Sequence, residues 1–240
     1  MTAHCQSDTF IQPRLSVIIT AAGQSRRMGV NKLLLSLGGK PILAHACAAF
    51  NSLKMVSDIV VTAPSGLEAE YEELLRHNGI DKLSRVVTGG AERQDSIYEA
   101  MRTLQAGEKD FVAVHDAARP LISVKLIETI CAELSSCDGA IPAVAVKDTI
   151  KRVDASGTVL ETLKRSELRA VQTPQIFRYG PLRRAYESAY KENFLGTDDA
   201  SLIERYGGMV RIVEGDYRNI KITTAEDLAI LEKFWAESNS

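Results

Sequence analysis

Apolar residues in this 240-residue chain fall into short runs that alternate between two periods. Leu15–Thr20 reads L-S-V-I-I-T and closes on Ala21, Ala22 and Gly23, the pattern of a buried strand that runs into a tight loop. A helix is expected over 41–50, with Pro41 suited to its first turn. The run 58–63 (D-I-V-V-T-A) is a second strand, and Leu67, Tyr71, Leu74 and Leu75 then share one helical face. The alternation continues. Strand 85–88 enters Gly89-Gly90, and a helical stripe follows at Ile97, Ala100, Met101 and Leu104. Strand 111–115 leads to a stripe at Val124, Ile127, Cys131 and Leu134, and then to strand 139–146. Strands alternating with helices at this spacing predict an α/β fold, a mostly parallel sheet covered on both faces.

The rhythm changes after Val146. Two weakly alternating runs, 148–152 and 159–163, flank D-A-S-G, a turn signal, and predict a β-hairpin. It carries Lys147, Lys151, Arg152, Lys164 and Arg165, so an arm over about 147–165 is expected to project from the body or cover a site. The α/β pattern resumes with helices over 181–191 and 198–206 and a strand over 209–214. The last helix is expected to open with Thr223 and Glu226 as a capping box, burying Leu228, Leu231 and Trp235. The reading is one domain over 15–240 with the arm inserted. A polar tail over 1–14 precedes it and lacks the apolar core of a signal peptide.

Composition narrows the function. There are 29 Lys+Arg against 31 Asp+Glu, with 45% hydrophobic and 25% charged residues, as in ordinary globular proteins. This excludes a disordered chain and gives no support to a generally basic nucleic-acid surface. No apolar run reaches the roughly 18 residues that suggest a membrane span. Cys5, Cys47, Cys131 and Cys137 show neither a C-x-x-C pair nor metal-ligand spacing. Cys47 and Cys131 fall among apolar residues, as small core hydrophobes do, and a reducing cytoplasm is the expected compartment.

Ligands of open parallel sheets bind at the carboxyl ends of strands, and four segments fall there. Ala21 to Lys32 reads A-A-G-Q-S-R-R-M-G-V-N-K. Three residues of almost no side chain let a base or phosphate approach the backbone, and Arg26, Arg27 and Lys32 add cations. By itself the segment fits a Gly turn with solvated Arg side chains equally well. It is neither G-x-x-x-x-G-K-[ST] nor G-x-G-x-x-G. The second segment, Gly89 to Ser96, is another small-residue loop before a helix, with Gly90, Arg93 and Ser96 able to meet a nucleotide. The third, V-H-D-A-A-R-P from Val114, ends a strand on Asp116, where a carboxylate can hold Mg²⁺ against phosphate oxygens. His115 alternates with it and is expected to point into packing. The fourth, E-G-D-Y-R-N-I-K, ends at Lys221, which alone would be an ordinary surface charge.

Taken in order, A-A-G-x-x-x-R-M…K, G-G-x-x-R-x-x-S, V-H-D-A-A-R-P, D-T-I-K-R, T-P-Q-x-F, G-T-D-D-A-S and N-I-K resemble the 2-C-methyl-D-erythritol 4-phosphate cytidylyltransferases of the non-mevalonate isoprenoid pathway. The resemblance runs from about Ser16 to Asp227. It implies a Rossmann-like nucleotidyltransferase domain, with a twisted sheet flanked by helices, that uses CTP and Mg²⁺. It also implies a homodimer whose β-arms embrace.

On this resemblance Arg27, Lys32 and Lys221 are catalytic. Ala21, Ala22, Gly23, Gly90, Arg93, Ser96 and Ala117 bind the nucleotide. Asp116 binds the metal, and Asp116, Arg119, Thr149, Arg165, Thr173 and Thr197 surround the methylerythritol phosphate. Thr149 and Arg165 would reach the partner subunit's site. Three features depart from the family pattern: Ser25 stands where many relatives have Gly, Asn31-Lys32-Leu33 where many have a longer loop with P-K-Q, and Arg218 where some have an acid.

The implied nucleophile is a phosphate monoester, already anionic at pH 7 since its second pKa is about 6. No general base is needed, and the demand on the protein is positioning and charge stabilisation. A cytidylyltransferase for another polyol phosphate, such as ribitol 5-phosphate, and a nucleotide-binding module without catalysis are the alternatives.

Overall fold

The computed structural model describes residues 13–23 and 31–238. The strands are β1 (Leu15–Thr20), β2 (Ser36–Leu37), β3 (Lys40–Pro41), β4 (Val56–Ala63), β5 (Leu83–Thr88) and β6 (Phe111–Asp116). They continue with β7 (Gly139–Ala145), β8 (Lys151–Val153), β9 (Val159–Thr162), β10 (Arg169–Val171), β11 (Gln175–Arg178) and β12 (Val210–Glu214). The helices are α1 (Ile42–Ser52), α2 (Glu68–His77), α3 (Arg93–Met101), α4 (Val124–Glu133), α5 (Tyr179–Lys191), α6 (Asp199–Arg205) and α7 (Ala225–Ser238).

β5, β4, β1 and β6 lie side by side and parallel, and β7 and β12 form a second parallel pair. β11 joins the two groups, antiparallel to both β6 and β7. β10 continues antiparallel along the end of β7. The sheet is therefore mostly parallel, as the alternation predicts, with two antiparallel strands the pattern does not show. Their physical cover is Pro174. It has no N–H for a ladder and splits R-A-V-Q-T-P-Q-I-F-R into two short pieces that do not read as a strand.

The pleat of β1 separates two cores. Val17 and Ile19 pack with Cys47, Tyr71, Ile127 and Leu231 on one face. Ile18 packs with Ile97, Val114, Leu182, Tyr186 and Leu202 on the other. Cys47 is fully buried and Cys131 half-buried. Burial pushes both thiols up to about 12, so they are packing groups and not reactive thiolates.

Two helix starts differ from expectation. Pro41 lies in β3 and precedes α1, where its lack of an N–H costs no helical bond. The box at α7 is Thr224 with Asp227, one residue later than expected. Asp227 Oδ2 accepts from Thr224 N at 2.8 Å, and Asp227 N donates to Thr224 Oγ1 at 3.4 Å. Arg14, the end of the expected tail, is tied to the body through its amide, which donates to Asp110 Oδ1 at 3.0 Å.

β8 and β9 form their own two-stranded sheet. Its base is closed where Arg165 Nη1 donates to the Lys147 carbonyl at 2.6 Å. Among the described residues, no helix is long and apolar enough to cross a membrane.

Candidate active site

Thr20 of β1 pairs with Thr62 of β4 and with Asp116 of β6. Three strands thus end at one level, and their loops gather around a cleft of about 650 Å³. Ala21, Ala22 and Gly23 form one wall. The Ala21 amide is turned back onto β4, donating to the carbonyl and hydroxyl of Thr62, each at 3.1 Å. The opposing loop has no room for side chains. A Cβ on Gly89 would stand 2.2 Å from the Ala22 Cβ, and one on Gly90 would stand 2.3 Å from the Asp95 Cβ. Ser96 holds this loop: it accepts from Gly90 N at 3.0 Å and donates to the Glu92 carbonyl at 3.1 Å.

Asp116 is the charge centre. Its side chain is 9% exposed, and Lys221 Nζ stands 2.7 Å from Oδ2. Arg119 Nε is 3.7 Å from Oδ2, Arg93 Nε is 3.8 Å from Oδ1, and the Thr20 hydroxyl donates to Oδ1 at 3.3 Å. Burial pushes the carboxyl up, but Lys221, Arg93 and Arg119 together outweigh it and hold the pKa at about 2. Asp116 is therefore anionic at neutral pH despite its burial.

The cations are fixed in turn. Arg93 Nη2 donates to the buried Asp199 at 2.7 Å, and Asp199 accepts from Tyr186 OH at 2.6 Å. Burial works against the charge of Arg93, but Asp199 and Asp116 raise its pKa overall. Arg119 Nη1 donates to the Asn219 carbonyl at 2.6 Å, and Lys32 Nζ donates to the Ile222 carbonyl at 2.5 Å. The Ile222 amide donates to the Ala118 carbonyl at 2.9 Å. These contacts lock the loop bearing Lys221 to the loop after β6.

The cleft brings together Ala21, Ala22, Gly23, Lys32, Gly90, Arg93, Ser96, Asp116 and Lys221. Ala117 does not line it. Its methyl is in the core, and Ala118 faces the cleft instead, because side chains go on alternating past the end of β6. Thr173 is buried beside Asp116, accepting from its amide at 3.0 Å. Thr197 lines an adjoining recess of about 190 Å³ that shares Glu92 and Arg93 with the cleft. Thr149 and Arg165 are exposed at the arm, away from this chain's cleft. Arg27 lies outside the described residues. His115 is buried, tilted against Phe50 at 5.2 Å, and lowered to about 4, chiefly by burial.

Sequence reasoning passed over Asp199, Tyr186 and Asn219. The first had a signal: in G-T-D-D-A-S one acid is enough to cap the helix. Asp198 does so, its Oδ1 accepting from Ser201 N at 3.0 Å, which leaves Asp199 for another partner.

Among the described residues, no three His, Cys, Asp or Glu side chains gather as a metal cage. One ionised carboxylate facing a phosphate-sized cleft suits Mg²⁺, which is commonly held by one or two carboxylates together with substrate phosphates.

A parallel α/β sheet with a cleft of bare backbone at its strand ends, and three cations around one carboxylate, defines a nucleotidyltransferase-type site. The family model for 2-C-methyl-D-erythritol 4-phosphate cytidylyltransferase matches residues 15–237. The chain belongs to this family. It is 46% identical over 232 residues to the 2-C-methyl-D-erythritol 4-phosphate cytidylyltransferase of Geotalea uraniireducens (strain Rf4), covering 95% of this chain and 99% of that one. It is 45% identical to the Bacillus mycoides (strain KBAB4) enzyme of the same name, over 91% and 96% of the two chains. The crystal structure of 4-diphosphocytidyl-2C-methyl-D-erythritol synthase from Anaerococcus prevotii DSM 20548 superposes with a TM-score of 0.81. The identity is 30%, over 92% of this chain and 98% of that one.

Proposed function

We propose that this chain transfers the cytidylyl group of CTP to the phosphate of 2-C-methyl-D-erythritol 4-phosphate. A substrate phosphate oxygen attacks the α-phosphorus, the bond to the β-phosphate oxygen breaks, and pyrophosphate leaves with that electron pair. The products are 4-diphosphocytidyl-2-C-methyl-D-erythritol and pyrophosphate. The observation that carries the reading is the Asp116 centre, where Lys221, Arg93 and Arg119 converge beside a backbone-lined cleft.

The nucleophile arrives already ionised, which accords with a site whose nearest imidazole, His115, is buried and faces away. What remains is to bring two anions together. Arg93 and Lys221 offset their repulsion, Ala21 to Gly23 and Gly90 admit the nucleotide to the backbone, and Lys32 and Arg27 meet the triphosphate. Asp116 would hold Mg²⁺, which when bound neutralises phosphate charge. Arg119, Thr173 and Thr197 bound the side from which the second substrate enters.

The test is Mg²⁺-dependent pyrophosphate release from CTP, offered 2-C-methylerythritol 4-phosphate and ribitol 5-phosphate in turn. Release with methylerythritol phosphate is expected. Preference for ribitol phosphate would reassign the acceptor, and release with no polyol phosphate would leave a binding module.

We further propose that the arm completes the site of a second copy. An isolated two-stranded hairpin is marginal in water, and Val153, Val159 and Leu160 of this one are about half exposed, so a covering partner would stabilise it. Thr149 and Arg165 then serve the partner's cleft. Arg165→Ala and Lys221→Ala chains, each nearly inactive, should recover about a quarter of wild-type activity when subunits exchange. Half of the dimers would then be mixed, with one intact site each. No recovery after verified exchange would place Arg165 in its own chain's site or outside any.

A further inference from the structure

The segment that carries Lys221 runs from β12 to α7 outside any strand or helix, so no ladder fixes it. Side chains and single backbone bonds do so instead. Gly215 N donates to the Ala143 carbonyl at 2.9 Å, and Tyr217 OH donates to the Ala145 carbonyl at 2.8 Å, both at the end of β7. The buried amide of Gln172 meets Asp216 from two sides. A carbonyl oxygen only accepts, so Nε2 faces the Asp216 carbonyl at 2.8 Å, and Oε1 accepts from the Asp216 amide at 3.3 Å. The same Nε2 lies 3.3 Å from the Asn219 carbonyl oxygen. Asn219 N donates to the Asp216 carbonyl at 2.9 Å, which closes a turn whose two ends Gln172 holds together. Gly215 leaves room for that amide, since a Cβ there would stand 2.6 Å from Gln172 Oε1.

Asn219 ends the turn and is buried. Its Nδ2 donates to the Thr173 carbonyl at 2.9 Å, and its own carbonyl accepts from Arg119 Nη1 at 2.6 Å. Lys221 follows two residues on, with Nζ 2.7 Å from Asp116 Oδ2. Neither Asn219 nor Gln172 lines the cleft.

We infer that Asn219 is a positioning residue. Anchored through its side chain to the Thr173 carbonyl and through its backbone to Gln172, it sets from one point the guanidinium of Arg119 and the ammonium of Lys221. The inference rests on the reading under Proposed function, in which these two cations face the acceptor phosphate. Long cationic side chains lose rotamer freedom when they are held, and a fixed backbone leaves less of that loss to the moment of binding. The nucleotide side of the cleft is held separately, by Thr62 on Ala21 and by Ser96 on Gly90. A fault at Asn219 therefore falls on the acceptor and not on CTP.

In Asn219→Ser the side chain no longer reaches the Thr173 carbonyl. kcat/KM for the polyol phosphate should fall about tenfold, the scale of one buried hydrogen bond, while KM for CTP moves less than about twofold. Loosening of the whole domain would move both together, and that result overturns the inference. Made in Lys221→Ala, the same substitution should lower kcat/KM by less than about threefold, because one of the two groups it places is gone and coupled residues do not act independently. A full tenfold loss in both backgrounds overturns the inference, since Asn219 would then act on something other than Lys221.

A second measurement needs neither that variant nor a substrate. Gln172→Met fills the same space and removes the clamp on the turn. Deuterium exchange at the Ile222 amide, which donates to the Ala118 carbonyl, should quicken at least about tenfold, with β1 unchanged. Unchanged exchange at Ile222, or an equal rise in β1, overturns the inference. Failure of wild type to use any polyol phosphate would instead fall on the proposed function.

Discussion

Asp116→Asn is expected to lower kcat for pyrophosphate release by about 10²- to 10³-fold, the range seen when one group that stabilises developing charge is removed. The side chain keeps its shape and loses the negative charge that Lys221, Arg93 and Arg119 share. Arg93 keeps Asp199, Lys221 and Arg119 lose the carboxylate between them, and the cleft loses an anionic oxygen ligand for a cation.

The same substitution should cost stability. A carboxyl held at about 2, against an ordinary value of 3.8, favours the folded state by about 2 kcal/mol near neutral pH. The folded-state value is depressed, so this contribution is present above about pH 4 and disappears as pH falls through 2. The gap between wild type and Asp116→Asn in urea unfolding should therefore be open at pH 7 and close between pH 4 and 2. A kcat within tenfold of wild type, in protein that unfolds normally, would remove Asp116 from the centre of the account.

Lys221→Ala should reduce kcat by about 10²-fold. It should also cost part of the stability that the Asp116 charge brings, because the Lys221 ammonium is the foremost of the cations that hold this buried carboxyl down. Its value in the reaction is that of a point charge beside Asp116 that meets the incoming phosphate. Lys32 is held from the other side by the Ile222 carbonyl, next to Lys221 in sequence. One short loop thus sets the places of both ammonium groups. Lys32→Ala with Lys221→Ala should bring release near background. Near-normal release by the folded double variant would show that neither amine stabilises the transition state.

How much of this was legible in the sequence depends on the distance over which each feature is decided. The parallel strands were visible because Ile18 and Ile19 each face a core, which makes β1 a continuous β-branched run. β10 and β11 were hidden by Pro174, since their identity as strands comes from β7 and β6, not from their own pattern. Gly90, Asp116 and Lys221 could be found because they follow strands, where a parallel sheet opens to ligands. The inward turn of the Ala117 methyl, with Ala118 at the cleft, follows from carrying the alternation of β6 past its end. The anchoring of Arg93 by Asp199 joins residues 106 apart in the chain. Nothing local could announce it beyond a spare acid at a capped helix. The same holds for Asn219, whose amide nitrogen donates to the Thr173 carbonyl at 2.9 Å.

In the proposed reaction one substrate attacks the other directly, and the protein supplies place and charge but no nucleophile. The hydroxyl of Ser96 in the cleft is engaged by the Glu92 carbonyl and the Gly90 amide, and Cys47 and Cys137 are buried. CTP made chiral at the α-phosphorus tests this most directly. A single in-line displacement predicts inversion of configuration in the cytidine diphospho product. Retention would mean two displacements through a cytidylylated side chain, and would contradict the account.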